Sequence, residues 1–127
     1  NSQPEPQQAR WLGWWVEAAV LTNILFICGK ARKRSPTAAA IAAERLGQPT
    51  DFAGLSADAD ERLSPEHLAW VDTVAVMEKA QVSRLKRQMA AHLKGKRLVC
   101  LDIPDEYEFM QPELIDLVTA RLVRVTR

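Results

Sequence analysis

Between Asn23 and Ala40 the chain reads NILFICGKARKRSPTAAA: one cysteine closes an apolar run, and four cations and a Ser-Pro pair follow within eight residues. An inert thiol is a small hydrophobe that gains nothing from nearby charge. A thiolate gains a great deal. Where turned-in backbone N–H groups and a helix N-terminus surround a sulfur, the field that binds an anion also favours thiolate over thiol. Lys30, Arg32, Lys33, Arg34 and the Ser35 hydroxyl reinforce that preference. Such a sulfur is a nucleophile aimed at phosphorus, and the planar fork of an arginine binds two phosphoryl oxygens at once. Asp102 and Asp105, in LDIPDEYEF, are the second group of residues able to do chemistry, although aspartates around Pro104 also serve as plain turn formers.

The elements that must position these residues are legible as alternating runs. NILFIC has the continuous apolar character of a strand buried on both faces. SPTAAAIAAERLG then reads as a helix with Ser35 as N-cap, Pro36 at the first helical position and Gly47 as its stop. DFAGLS is a weaker strand, ADADER a polar loop, and Ser64-Pro65-Glu66 opens a helix to about Val71. TVAVM is a third strand, followed by a helix with Val82, Leu85, Met89 and Leu93 on one stripe. GKRLVCLDI is the fourth strand, PDEYEFM a loop, and Pro112 starts the last helix. This alternation implies an α/β fold, a single three-layer domain with a four-stranded parallel sheet and helices on both faces. Ligands of such sheets bind outside the carboxyl ends of the strands, where Cys28 and the Asp102–Asp105 loop both fall. Glu78, at the end of the third strand, reads as helix-start charge.

The 127 residues, 47% apolar and 26% charged with a net charge of +1, suit one globular domain and give no global attraction to nucleic acid or anionic lipid. The loop KARKR carries no interleaved aromatic residue, which also argues against a nucleic-acid surface. Gly29-Lys30 has neither the upstream glycine nor the following Ser or Thr of a nucleotide phosphate loop. His67 and His92 lack zinc spacing and read as surface helix residues. No run is long enough for a membrane span. Two cysteines in apolar runs suit a reducing cytoplasm, and Cys100 reads as packing within a central strand. Residues 1–22 stand apart from the expected domain at 23–127. NSQPEPQQA is polar and tail-like, and RWLGWWVEAAVL is not read as a targeting segment. It is expected as a short amphipathic helix covering the domain; in the alternative reading, Trp11, Trp14 and Trp15 form a patch that makes a homodimer.

CGKARKRS spells Cys28, five residues, Arg34 and Ser35, and so resembles the C-x5-R-[ST] signature of cysteine-dependent phosphatases. Its place after the first strand is similar to that in the low-molecular-weight protein tyrosine phosphatase family. RSPTA, FAGLSAD, VDTVAVME and DIPDEYEFM resemble successive segments of that family, closest to a short, predicted phosphatase branch with LDIPD in the acid loop. The resemblance covers residues 23 to about 122. It implies a phosphomonoester hydrolase, a protein tyrosine phosphatase acting through a cysteinyl phosphate, with no metal or other cofactor. Cys28 would be the nucleophile, Arg34 would hold the phosphoryl oxygens, and Ser35 would hydrogen-bond the thiolate. Asp105 would protonate the leaving group and then activate water, with Asp102 the rival acid better suited to bracing. Gly29, Lys30, Ala31, Arg32 and Lys33 would line the phosphate cradle and Tyr107 its entrance. Substrates would be phosphotyrosine proteins or other aryl or alkyl phosphomonoesters, with inorganic phosphate and related oxyanions as inhibitors.

The chain departs from the family pattern at four places. Ala31 stands where asparagine commonly braces the loop, Lys33 where a second loop cysteine is frequent, and Glu106 and Glu108 where proline and a second tyrosine are usual. These departures keep open a phosphate-binding or partner-binding module without turnover. Arsenate reduction on the same scaffold is disfavoured, because it requires further cysteines and only Cys100 is available.

Overall fold

A computed structural model describes residues 22–126. Four strands, β1 (Ile24–Cys28), β2 (Thr50–Gly54), β3 (Thr73–Val76) and β4 (Arg97–Cys100), form one parallel sheet in the order β2-β1-β3-β4. Between them run α1 (Arg34–Leu46), α2 (Pro65–Trp70) and α3 (Lys79–Met89), and after them α4 (Pro112–Arg121) and α5 (Val123–Thr126). The expected α/β architecture is thus the one observed. The tryptophan-rich extension lies outside the described residues.

Strand β1 is central, which explains its unbroken apolar run: alternate residues feed two separate cores. Ile24, Phe26 and Cys28 face α1 and α4, packing with Ala38, Ala42, Leu114 and Val118. Leu25 and Ile27 face the other side, with Leu68, Val74, Val76 and Leu85 beneath α2 and α3. Fully burying a side chain such as Phe26 or Ile27 contributes about 1.5–3 kcal/mol, so the strand that carries the cysteine is also among the most firmly held. The register places Ile24 to Ile27 opposite Thr73 to Val76 and Ile24 to Cys28 opposite Thr50 to Gly54. All four strands consequently present their carboxyl ends on one side of the sheet.

Three local expectations are corrected. Helix α1 begins at Arg34 with Lys33 at the cap position and no capping side chain, because the Ser35 hydroxyl is directed to Cys28 instead. His67 is not a plain surface residue: its Nδ1 accepts from the Ser64 amide at 3.0 Å, completing the capping box of α2, and its side chain is largely covered. Cys100 lies on an edge strand, not a central one, and is only partly buried. It pairs in register with Val76, and so belongs to the sheet face opposite Cys28. That opposition, not strand position, keeps the two sulfurs apart.

The end of β4 is fastened from the C-terminal side. Arg124 donates to the Cys100 carbonyl at 3.0 Å and to Asp102 Oδ2 at 2.8 Å, while Arg121 donates to the carbonyls of Leu101 and Asp102. Asp102 takes a left-handed conformation, φ 53°, which aspartate tolerates better than most residues. This bracing sets where the chain enters the loop that carries Asp105.

Candidate active site

At the carboxyl end of β1 the chain turns through residues 29–33 and enters α1, leaving an open cavity of about 370 Å³. It is lined by Cys28, Gly29, Lys30, Arg32, Lys33, Arg34, Ser56 and Asp105. Cys28 is 3% exposed, so its sulfur lies at the floor of the cavity. The Ala31 amide donates to Cys28 Sγ at 3.2 Å, and Ser35 Oγ lies 3.0 Å from the same sulfur. The sulfur thus has a backbone amide and a hydroxyl within hydrogen-bond distance on the cavity floor.

Arg34 is buried along its length, its side chain only 6% exposed. Its Nη1 donates to the Ile103 carbonyl at 2.9 Å and meets Glu78 Oε1 at 3.2 Å, and its Nε lies 3.7 Å from Asp105 Oδ1. The guanidinium is therefore fixed by the loops that follow β3 and β4 before any ligand arrives. Glu78 owes its position to the start of α3, where it is the N-cap of a capping box with Gln81.

The loop's remaining cations are each paired across the rim. Lys30 Nζ meets Asp58 at 3.3 Å, Arg32 Nε meets Asp60 at 2.9 Å, and Lys33 Nζ meets Glu108 at 3.1 Å. The Lys30 ammonium holds the Asp58 carboxyl below its usual range, and the bond that Arg32 donates to Asp60 raises the guanidinium further. The cations thus tie the loop to its surroundings as well as adding charge to the cavity.

The structure brings Cys28, Gly29, Lys30, Arg32, Lys33, Arg34 and Asp105 to one cavity, with Ala31 and Ser35 directly behind the sulfur. Asp102 is drawn away by Arg124, which depresses its carboxyl, and also accepts from the Cys100 thiol at 3.4 Å. Tyr107, expected at the entrance, is not among the residues lining the cavity; it is half-buried and packs against the core shared by α1 and α4. Sequence reasoning missed Glu78, read only as helix-start charge, and Gly54, Ser56, Asp58 and Asp60. Asp58 and Asp60 carried a signal, since their spacing of two matches that of Lys30 and Arg32. Among the described residues no cluster of His, Cys, Asp and Glu has the geometry of a metal site, and no helix is long and apolar enough to cross a membrane.

No protein-family model matches the sequence, and neither does any curated protein. Solved structures do match. The chain is similar to Wzb of Vibrio vulnificus in complex with benzylphosphonate, with 17% identity and a TM-score of 0.65 over 84% of this chain and 95% of that one. The tyrosine phosphatase Wzb of Escherichia coli in complex with phosphate gives 18%, 0.63, and 84% and 96%. The YwlE arginine phosphatase of Geobacillus stearothermophilus gives 19%, 0.61, and 83% and 92%. The described residues have the fold of the low-molecular-weight protein tyrosine phosphatases.

Proposed function

We propose that this chain is a cysteine-dependent phosphomonoester hydrolase whose substrates are aryl phosphates, phosphotyrosine among them. The observation that carries this reading is the placement of Cys28 Sγ between the Ala31 amide and the Ser35 hydroxyl, on the floor of a cavity that Arg34 and Asp105 also line. In the first step the sulfur attacks phosphorus in line, the P–O bond to the leaving group breaks, and Asp105 gives that oxygen a proton. In the second step the Asp105 carboxylate takes a proton from water, whose oxygen displaces the sulfur and releases inorganic phosphate. Arg34, already fixed by Ile103 and Glu78, binds the equatorial oxygens through both steps. The displacement at phosphorus uses a sulfur nucleophile and a carboxyl acid, and so calls for no metal.

Tyr107 is not among the residues that line the cavity, and Glu108 places charge at its rim, so turnover of phosphotyrosine peptides is expected to be modest beside that of small aryl phosphates. Release of phosphate from p-nitrophenyl phosphate, abolished in Cys28→Ser, is the direct test. Phosphotyrosine and phosphoarginine peptides compared on the same protein would rank the substrates. A protein that binds phosphate or vanadate without ever turning over would establish the binding-module reading instead.

A further inference from the structure

Ala31 is buried and has a φ of 60°, in the left-handed region that a residue with a Cβ enters at a steric cost. In that conformation its amide donates to Cys28 Sγ at 3.2 Å. The residues on either side of it are gripped from one turn. The Asp60 amide donates to the Lys30 carbonyl at 2.9 Å, and Lys30 Nζ meets Asp58 at 3.3 Å. Arg32 Nε donates to Asp60 Oδ1 at 2.9 Å, and its Nη2 reaches the Asp58 carbonyl at 3.5 Å. The turn is itself tied back, the Ser56 amide donating to the Gly29 carbonyl at 2.9 Å.

We propose that Asp58 and Asp60 are positioning residues: a clamp that holds Ala31 left-handed and so keeps its amide on the nucleophilic sulfur. They act through Ala31 and do not touch the substrate. Each pair is exposed and weak by itself, but it has only to tip a local choice between two backbone conformers. The clamp supplies from outside the loop what the alanine side chain cannot supply from within. The inference rests on Cys28 being the nucleophile of the proposed reaction.

The test uses the full chain carrying Cys100→Ser, so that one reactive thiol remains, and reads how well inorganic phosphate protects Cys28 from iodoacetamide. Electrostatics alone predicts that Asp60→Ala binds phosphate more tightly, since a carboxylate near the anion is removed. The clamp predicts the opposite, a phosphate affinity about tenfold weaker, as expected when a disfavoured backbone state loses its support. In the Ala31→Gly background the same substitution should cost only about twofold, because glycine adopts positive φ without steric cost. Asp60→Asn, which keeps an acceptor for Arg32, should recover most of the loss. Unchanged or tighter phosphate binding in Asp60→Ala, or an equal loss in both backgrounds, overturns the clamp. Aryl phosphate turnover measured on the same proteins separates the two claims. Coupled phosphate binding without turnover refutes the hydrolase and supports the clamp; turnover without coupling does the reverse.

Discussion

Gly54 lies so close to Gly29 that a Cβ built on it would stand 2.6 Å from the Gly29 carbonyl oxygen. The same atom would be 2.6 Å from Ala59 Cβ and 3.0 Å from the Ala31 amide nitrogen. Backbone cannot yield as a flexible side chain can, so the end of β2 and the loop after β1 fit only while position 54 has no side chain. Gly54→Ala is expected to destabilise the protein by about 1–3 kcal/mol, as overpacking does, and to cost more in phosphate affinity than in melting temperature. Equal affinity for phosphate in the variant and the parent would show that the loop does not depend on this contact.

Arg34 and Glu78 join the first helix to the loop after β3, with the guanidinium almost wholly buried and the carboxylate half exposed. Arg34→Lys keeps the charge but loses the fork that spans the Ile103 carbonyl and Glu78 and that, in the proposed reaction, would hold two phosphoryl oxygens. Turnover of an aryl phosphate should fall about 10²- to 10³-fold, the range seen when one preorganised transition-state donor is removed. Glu78→Gln keeps an acceptor in place and should cost much less, about tenfold, by loosening a guanidinium that stays charged. Steady-state kcat on p-nitrophenyl phosphate checks both, and equal losses would mean that Glu78 is more than a support.

The sheet, its helices and the cation-rich loop after Cys28 could be read from the chain because each is encoded locally, whereas Asp105 is joined to that loop by the strand-end rule and the family resemblance. The apolar run of β1, the Pro36 and Pro65 starts and the cations after Cys28 all report on their own neighbourhood. What escaped was set by long-range pairing. Glu78 looks like a capping residue because it is one, and only the adjacency of β1 and β3 brings it to Arg34. Ser35 reads locally as a helix cap, yet its hydroxyl lies against the sulfur seven residues earlier, the contact that the family resemblance implies. Tyr107 sits in the loop that begins at Asp102, where Arg121 and Arg124 fasten the chain, and no periodicity reveals that it packs against the core.

Burial pushes the Cys100 thiol up from its ordinary value of 9.0. A thiol raised in this way exposes less thiolate at any neutral pH, so alkylation at pH 7 should spare Cys100. Its labelling should become appreciable only at a pH higher than a free cysteine needs. Mass spectrometry of the Cys28→Ser protein after iodoacetamide treatment across pH 7 to 10, a range set by that ordinary value, reads this directly. Rapid labelling near neutrality would mean that the β4 edge is more open than the partial burial of Cys100 indicates.

Asp102 is a carboxylate whose charge state should show in acid. The bond from Arg124 holds its folded-state value below the ordinary 3.8 of the unfolded chain. The stability it contributes is therefore complete above that value and is lost as pH falls through the folded one. Asp102→Asn keeps a residue that accepts φ 53° and an oxygen that can still receive the Arg124 donor, while removing the charge. The variant should melt slightly lower than the parent at neutral pH, because an exposed pair adds little. Between about pH 5 and pH 2 the parent should lose stability more steeply, and the two melting curves should converge. Aryl phosphate turnover at neutral pH should fall little, since Arg124 draws this carboxyl away from the cavity that Asp105 lines. Parallel acid slopes would remove the ion pair from the account of this loop, and a collapse of turnover in Asp102→Asn would transfer the acid role from Asp105 to Asp102.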